Sequence, residues 1–273
     1  MSSWRANPSL EVFTDRVHEL SILTQASADL ERGRPHHIAL FGLRRIGKTL
    51  LCQEHMRQLS VQGRVLPVYM NLEGIGASPE LFVQRYVGLT CFWAIARGEG
   101  SVEPYMRAID LLQTPAAGIT VALEAIRFMV DSLGREASDP GALLHLAFDL
   151  PDRLAAALGQ PIMCFLDEFT ELSSLSRFPQ VGNPYKIFRS VIQQHSHVGY
   201  VVTGSAITAM EQMVRDHESP LFLQLRAVEL PPLTAEDTQT LTTKIIGQSL
   251  SSAAQAGVYT YTNGHPFYVT ALA

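Results

Sequence analysis

One short stretch of the sequence combines the residue types that hold a phosphate group. It begins at Gly42, ends at Thr49 and follows His37–Phe41, an apolar segment typical of a strand. Gly42 and Gly47 let the backbone curl so that successive N–H groups point at phosphate oxygens. Apolar residues at helical spacing follow, so a helix that begins near Lys48 adds the positive end of its dipole. The spacing G-x-x-x-x-G-K-T therefore predicts a phosphate-binding loop between a strand and a helix.

The side chains of this loop predict its ligands. The Lys48 ammonium is expected to reach the β- and γ-phosphates of a nucleotide, and the Thr49 hydroxyl to ligate Mg²⁺. Arg44 and Arg45 occupy the variable positions of the pattern and are expected to face outward. We therefore predict ATP and Mg²⁺ as cofactors. The nucleotide-binding residues predicted from the loop are Gly42, Leu43, Arg44, Arg45, Ile46, Gly47, Lys48, Thr49 and Leu50.

A metal-bound nucleotide needs a second acidic group, and the end of an apolar segment supplies one. Asp167 and Glu168 follow the strand-like run that starts at Pro161. Asp167 is placed to hold the metal, directly or through water. Glu168, which would point differently, is placed to polarise a water for attack on the γ-phosphate. Such an acidic pair is otherwise a solvated turn, but the loop upstream favours the functional interpretation, with Thr49 and Asp167 as metal ligands.

Three further residues are candidates for catalysis. Thr203 and Ser205 end the next predicted strand, where parallel strand ends gather around a ligand, so their hydroxyls are suited to orienting the water or sensing the γ-phosphate. Capping of the following helix is an equal alternative for Ser205. Arg226 is a candidate for stabilising the transferring phosphoryl group, in cis or across a subunit boundary, with a surface arginine as the alternative. The predicted catalytic residues are Lys48, Glu168, Thr203, Ser205 and Arg226.

The segments around these residues alternate between strands and helices. Strands are predicted at 37–41, 65–71, 161–168, 199–205 and 226–230. Pro67 lacks the N–H group that a central strand donates, so the second strand is expected near an edge of the sheet. Strands that alternate with helices predict an α/β fold in which helices cover both faces of a parallel sheet.

A long helical stretch interrupts this alternation. It runs from about 76 to 159, with a helix start at Ser78 and Pro79 and with breaks near 98–100, 114–118 and 138–141. Its apolar faces are expected to form its own core, and recognition of a partner is the alternative. We predict a core domain at 1–232. From 233 we predict the start of a helical lid that continues beyond Ala273 in a longer natural protein.

The composition describes a globular chain. Its 273 residues are 47% hydrophobic and 17% charged, and the net charge of −5 does not indicate the basic face of a dedicated nucleic-acid binder. DNA binding through a local patch or a missing domain stays open. Residues 1–10 lack the apolar core of a secretory signal, and no run approaches the roughly 18 apolar residues of a membrane helix. Three cysteines in apolar stretches indicate buried, reduced thiols and a cytoplasmic location: Cys52, Cys91 and Cys164.

Taken together, these motifs resemble those of the archaeal-type ATPases in the STAND and AAA+ branches of the P-loop NTPases. The resemblance covers the chain from Phe13 to about Val269, apart from the helical stretch. It rests on Phe13-Thr-Asp-Arg16-Val-His-Glu19-Leu20, Phe41-Gly-Leu-Arg-Arg-Ile-Gly-Lys-Thr49, Cys164-Phe-Leu-Asp167-Glu168, Thr203-Gly-Ser205, Pro220-Leu-Phe-Leu-Gln-Leu-Arg226 and Thr262-Asn-Gly264-His265-Pro266-Phe267. It implies a three-layer α/β sandwich with a mainly parallel five-stranded sheet, a helical insertion and a C-terminal helical lid. An effector or winged-helix region often follows in such proteins.

The resemblance also implies roles for individual residues. In such proteins the first segment reads F-x-G-R-x-x-E-L and lines the adenine pocket, which implies a nucleotide contact for Arg16. Asp15 stands where the glycine usually is. The segment from Thr203 to Ser205 corresponds to the sensor strand, and Leu225 stands where a glycine usually precedes the arginine. The last segment resembles the G-x-P motif of the lid, which implies that Pro266 packs near the nucleotide.

These patterns leave several functions open. The leading hypothesis is an ATP-binding, Mg²⁺-dependent ATPase whose hydrolysis switches a conformation or an assembly, with a second copy or a protein partner contacted through the lid or the insertion. The first alternative is a signalling scaffold that holds nucleotide with negligible hydrolysis. The second is a loader-type ATPase acting on DNA, which the net charge does not support. A nucleoside kinase is the weakest hypothesis, because no acceptor site is recognisable.

Overall fold

The computed structural model describes residues 11–74, 78–134 and 139–273, and their strands form one sheet. The strands are β1 (His37–Phe41), β2 (Leu66–Asn71), β3 (Ile162–Asp167), β4 (Val198–Gly204) and β5 (Arg226–Glu229). They are parallel throughout and lie in the order β2-β3-β4-β1-β5. Helices cover both faces of the sheet. The predicted α/β fold with a five-stranded parallel sheet is thus confirmed.

At both ends of every strand, the observed boundary lies within one residue of the boundary predicted from the sequence. β2 lies at an edge of the sheet, as the lack of an N–H group on Pro67 predicts. The inner strands β3 and β4 are buried along their whole length, which explains their nearly continuous apolar sequence.

Several helices begin at a side chain that caps their first turn. The Ser78 hydroxyl accepts a hydrogen bond from the N–H of Leu81, and the Thr234 hydroxyl accepts one from the N–H of Asp237. The helices are α1 (Val17–Glu31), α2 (Lys48–Gln62), α3 (Pro79–Ala94), α4 (Thr120–Leu133), α5 (Pro140–Leu158), α6 (Pro184–Ile192), α7 (Ile207–Arg215), α8 (Ala235–Ile246), α9 (Ser252–Thr262) and α10 (Pro266–Leu272). Short 3₁₀ helices at Glu103–Tyr105, Asp110–Gln113, Pro115–Gly118 and Phe169–Arg177 fill gaps between them.

The helical insertion between β2 and β3 packs directly onto the sheet layer. Helix α3 contacts β2, and α5 contacts α3, α4 and α6. Phe148 on α5 lies edge-on to Phe82 and to Phe188, with ring centroids 5.9 and 5.2 Å apart. The apolar side chains of the insertion therefore belong to the main core, and the expectation that they form a core of their own is wrong. The cause is that α5 serves as the crossover helix between two neighbouring parallel strands.

The three C-terminal helices have a small core of their own. Leu233, Leu241 and Val269 are buried together, and half-buried side chains of Val12 and Val258 pack against them. This cluster begins at Leu233, beside the predicted boundary at 232, and the division into two domains stays a prediction.

Two other expectations concern the chain as a whole. Cys52, Cys91 and Cys164 are free thiols and buried, as predicted. Within the described ranges, no helix has the length and apolar character needed to cross a bilayer. Three expectations concern residues outside the described ranges. They are the absence of a secretory signal at 1–10, the start of the insertion at about 76 and the break at Ser138.

One close contact in the insertion depends on the absence of a side chain. Gly88 of α3 lies so near the 3₁₀ helix Glu103–Tyr105 that an added Cβ would stand 1.7 Å from the carbonyl oxygen of Tyr105. That oxygen belongs to the backbone, so the neighbour cannot rotate away.

We predict that Gly88→Ala lowers the free energy of unfolding by about 3 kcal/mol, because the added methyl group forces α3 away from Tyr105. Gly257→Ala in α9 is the matched control, since no atom lies within 4 Å of its added Cβ. The control should stabilise the chain by about 0.5–1 kcal/mol through helix propensity. Urea denaturation measures both, and equal stability of the two variants would contradict the packing described for Gly88.

Two histidines at the main core have strongly lowered pKa values: His55 is buried, and His37 is half-buried. The His55 ring on α2 lies with its Nε2 atom 2.8 Å from the Ser27 hydroxyl of α1. Burial lowers the pKa of His55 to about 4. Burial, together with the neighbouring His195 and His36, also lowers the pKa of His37 to about 4. Both rings are therefore neutral in the folded chain down to acidic pH.

We predict that the free energy of unfolding falls as the pH drops from about 6.5 to about 4. In this range the two histidines bind protons in the unfolded chain but stay neutral in the folded chain. A pKa depressed to about 4 corresponds to a loss of about 3 kcal/mol per histidine below pH 4. His55→Gln should make this fall shallower by about that amount, and His18→Gln, an exposed control, should not. Urea denaturation at pH 7.5 and pH 4.5 checks it, and an unchanged pH dependence in His55→Gln would refute it.

Candidate functional site

The site lies at the carboxyl edge of the sheet, where the loop 42–47 joins β1 to α2. Gly42 and Gly47 have positive φ angles of 155° and 105°, which favour glycine. A Cβ on Gly42 would stand 2.7 Å from the carbonyl oxygen of Leu230, so the loop fits against the end of β5 only without a side chain. Helix α2 begins at Lys48, so the loop leads directly into the positive end of the helix dipole.

The side chain of Lys48 folds back over the loop that precedes it. Its ammonium donates hydrogen bonds to the carbonyl oxygens of Gly42 at 2.9 Å and Leu43 at 3.0 Å. The residue is only 5% exposed. Burial lowers the pKa of Lys48, and the carboxylates of Glu168 and Asp167 oppose this effect. The cation is therefore held over the loop by carbonyl dipoles and faces two acids.

Asp167 is the centre of a hydrogen-bond network at the end of β3. Its Oδ2 atom accepts hydrogen bonds from the Thr49 hydroxyl at 2.7 Å and from the Tyr69 hydroxyl at 2.9 Å. Its Oδ1 atom accepts a short hydrogen bond from the Thr203 hydroxyl. Because Asp167 is 5% exposed, its charge depends on these three donors and on the nearby cation of Lys48. Burial and the Asp167 carboxylate raise the pKa of Tyr69, so its phenol stays protonated and donates.

The side chain of Glu168 points in a different direction from that of Asp167. Its backbone has a positive φ of 51°, and its N–H group donates to the Thr203 hydroxyl at 3.3 Å. Its Oε2 atom accepts hydrogen bonds from the Ser205 N–H at 3.2 Å and the Ser205 hydroxyl at 3.0 Å. Ser205 thus holds Glu168 and does not cap the following helix, whose N-terminal flanking residue is Ala206. The structure brings the predicted residues Glu168, Thr203 and Ser205 together.

Arg16 lies beside the loop from the N-terminal side. Its guanidinium donates to the carbonyl oxygen of Ile46 at 3.2 Å and lies 3.9 Å from a carboxylate oxygen of Glu19. Burial lowers the pKa of Arg16, while Glu19, Asp15 and Asp237 raise it. Asp15 and Arg16 both have positive φ angles, 59° and 67°. Asp15, which stands where the motif of the resembling family has a glycine, therefore keeps the left-handed backbone that a glycine favours.

The C-terminal helices contact the loop at its outer side. A ring nitrogen of His265, Nε2, lies 3.1 Å from the carbonyl oxygen of Arg44. The Arg45 guanidinium stands 4.3 Å from the centre of the Phe267 ring. Arg45 is exposed, as expected for a variable position of the loop, and its guanidinium stacks on Phe267 of the C-terminal helices. The Arg44 side chain is exposed, 3.9 Å from Glu73.

A cavity of about 360 Å³ lies between the loop and the C-terminal helices. Its walls combine the predicted loop residues with an apolar surface from the N-terminal segment and the lid. The lining residues are Val12, Phe13, Thr14, Arg16, Arg45, Ile46, Gly47, Lys48, Thr49, Leu50, Glu168, Leu233, Leu241, Pro266, Phe267 and Thr270. The cavity therefore has a charged end at the strand edges and an apolar end under the lid.

The strand pairing places Arg226 away from the loop and from the carboxyl ends of the strands. Arg226 starts β5 and pairs with Ile38, three residues before the end of β1 at Phe41. At about 3.3 Å per residue it lies roughly 10 Å below the loop. The strand register places Arg226 towards the amino end of the sheet and does not favour action on the phosphoryl group in cis, which stays a prediction. Action across a subunit boundary stays a prediction.

The residues at the charged end fit a magnesium nucleotide. A loop that excludes a Cβ at Gly42 and a lysine held over its carbonyl groups suit a polyphosphate chain. The Thr49 hydroxyl and the Asp167 carboxylate are hard oxygen donors, 2.7 Å apart. In the part of the chain that the structure describes, no group of three or more His, Cys, Asp or Glu side chains is arranged to hold a metal. A site with few protein ligands suits Mg²⁺, which keeps waters and phosphate oxygens around it.

Sequence reasoning missed Tyr69 and most of the apolar wall. Tyr69 lies two residues before the end of β2 and therefore shares a face with Asn71, which pairs with Asp167. A hydroxyl on that face of a neighbouring strand was the available signal. The apolar wall of Leu233 and Leu241 gave no signal, because apolar residues in a helix are ordinary core residues.

The architecture and the loop are those of the P-loop NTPase fold. Neither a protein-family model nor a curated relative matches the sequence. Among solved structures, the chain is similar to the Walker-type ATPase paby2304 of Pyrococcus abyssi, with a TM-score of 0.55 and 15% identity over 94% of this chain and 66% of that one. It is also similar to the ORC2 protein of Aeropyrum pernix, solved as ADPNP and ADP complexes, with a TM-score of 0.52 and 16% identity over 88% of this chain and 54% of that one.

These similarities confirm the fold. The chain spans less than two thirds of the length of either relative. The narrower assignment to the STAND branch stays a prediction.

Proposed function

We propose that the chain binds ATP with Mg²⁺ and hydrolyses the bond between the β- and γ-phosphates. The observation that carries this proposal is the hydrogen bond of 2.7 Å between Thr49 and Asp167, residues 118 positions apart. It brings the end of the phosphate-binding loop and the acidic strand end together, so that the Thr49 hydroxyl and the Asp167 carboxylate would hold Mg²⁺ beside the phosphates. The similar solved structures include nucleotide complexes, which supports the choice of ligand.

The side chains at the charged end would divide the work as follows. Lys48 would exchange its hydrogen bonds with Gly42 and Leu43 for phosphate oxygens, and its charge would stabilise the leaving phosphate. Bound Mg²⁺ would neutralise charge on the phosphates and orient them. Glu168, held by Ser205, would accept the proton of the attacking water. Thr203 would keep both acids in position, because it donates to Asp167 and accepts from Glu168.

The apolar end of the cavity would take the base. Val12 and Phe13 on one side and Leu233 and Leu241 on the other present apolar surface that suits a planar purine ring. Arg16 lies at the rim and would contact the nucleotide there, as the family resemblance implies.

The lid would convert the nucleotide state into a conformational or assembly switch. It contacts the loop through His265 and Phe267, and it contacts the N-terminal segment through a hydrogen bond of 2.7 Å from Lys244 to the carbonyl oxygen of Phe13. A nucleotide that touches both the loop and the lid binds the closed arrangement more tightly than an open one, and this difference in affinity drives the switch.

We predict that Lys48→Ala weakens ATP binding by about 100-fold, because it removes the charged hydrogen bonds to phosphate. Lys186→Ala is the matched control, since Lys186 is an exposed lysine on α6. Titration of a fluorescent ATP analogue measures both affinities. Tight binding retained in Lys48→Ala would overturn the phosphate-binding assignment of the loop.

We predict that Glu168→Gln keeps ATP affinity within about twofold and lowers phosphate release by about 10²–10⁴-fold, because the amide cannot accept the proton of water. Glu171→Gln, at an exposed acid in the following 3₁₀ helix, should hydrolyse like the unmodified chain. Steady-state phosphate release checks both. Undiminished hydrolysis in Glu168→Gln would remove Glu168 from the mechanism. An unmodified chain that binds ATP and releases no phosphate would favour the scaffold instead.

A further inference from the structure

One side chain at the charged end lies outside the loop and strand ends to which the proposed function assigns roles. Tyr69 belongs to the edge strand β2, and its hydroxyl donates to Asp167 at 2.9 Å although the two residues are 98 positions apart. The residue is half-buried, and its ring is anchored in the strand, so the direction of the hydroxyl is set by the sheet.

The strand register explains how Tyr69 reaches the acid. Asn71 pairs with Asp167 across the β2–β3 ladder, and Tyr69 lies two residues earlier on the same face. A tyrosine is long enough to cover this diagonal, whereas a serine or threonine at the position would fall short. The Oδ1 atom of Asn71 accepts a hydrogen bond from the N–H of Glu73, so this side chain is turned towards the segment after β2.

The three donors to Asp167 differ in what happens to them when a metal binds. A carboxylate offers about four acceptor positions, and the donors Thr49, Tyr69 and Thr203 use three of them. In the proposed function the Thr49 oxygen would ligate the metal through a lone pair, so the ion would also set the direction of this hydroxyl. Thr203 holds only Oδ1. Tyr69 is the donor on Oδ2 whose direction is set by the sheet and not by the metal.

We propose that Tyr69 is a positioning residue for the metal: its hydroxyl fixes the Asp167 carboxylate so that this acid meets Mg²⁺ in the correct orientation. The inference rests on the proposed binding of a magnesium nucleotide. It assigns Tyr69 an effect on metal affinity and none on the contact between the loop and the phosphates, since Tyr69 does not line the nucleotide cavity. Partners that orient a ligating carboxylate typically contribute 10–100-fold to metal affinity.

The test is Tyr69→Phe, which keeps the ring and removes only the donor. The matched control is Tyr185→Phe, because Tyr185 is also half-buried and its hydroxyl donates to the carbonyl oxygen of Thr170 at 3.2 Å, away from Asp167. Binding of a fluorescent, non-hydrolysable ATP analogue is measured in EDTA and then over a Mg²⁺ titration. Melting temperatures in EDTA without nucleotide report the fold of each variant.

In Tyr69→Phe we expect the Mg²⁺ concentration at half-maximal enhancement of binding to rise about tenfold, with affinity in EDTA unchanged within twofold. Tyr185→Phe should match the unmodified chain in both measurements. A general loss of structure would weaken binding in EDTA as well, and that result would overturn the positioning role. An unchanged or lowered Mg²⁺ midpoint in Tyr69→Phe would overturn it too while leaving the proposed function intact. Failure of the unmodified chain to bind the analogue with Mg²⁺ would overturn both.

Discussion

The site depends on one buried carboxylate that three strands and the first turn of helix α2 bring within reach of hydroxyl groups. Asp167 ends β3, and donors reach it from β2, from β4 and from the first turn of the helix after β1. A parallel sheet makes this convergence a consequence of topology, because the carboxyl ends of all its strands lie at one edge. Burying the charge without those donors would cost several kcal/mol, so the network and the sheet require each other.

Two apolar cores of very different size flank this network. The main core runs through the sheet, the insertion and helices α1 and α2, so the loop and the acids stand on a rigid base. The lid rests on three buried residues and a few half-buried neighbours. Free energies of local opening follow the amount of buried apolar surface, so the C-terminal helices are expected to open at a lower free-energy cost than the main core. A rigid base beneath a weakly anchored cover would suit the nucleotide-dependent switch proposed above.

Features set by neighbouring residues could be predicted from the sequence, and features set by distant ones could not. The loop was predicted because Gly42, Gly47 and Lys48 act through local backbone geometry. The edge position of β2 followed from one missing N–H group at Pro67. The predicted strand 226–230 already places Arg226 at the amino end of β5, whereas its pairing with Ile38 could not be predicted from an apolar run. The contact between Arg45 and Phe267 was missed because nothing in either local sequence reports which ring a distant cation will meet.

The strand order has a further consequence for how the chain is made. β1 carries the phosphate loop, yet both of its neighbours in the sheet, β4 and β5, come late in the sequence, and the contact from His37 to Tyr200 spans 163 residues. At roughly 5–20 residues per second, β1 leaves the ribosome some ten to thirty seconds before its first partner. During that interval both edges of an apolar strand are unpaired, so early synthesis exposes a segment that can pair with another nascent chain.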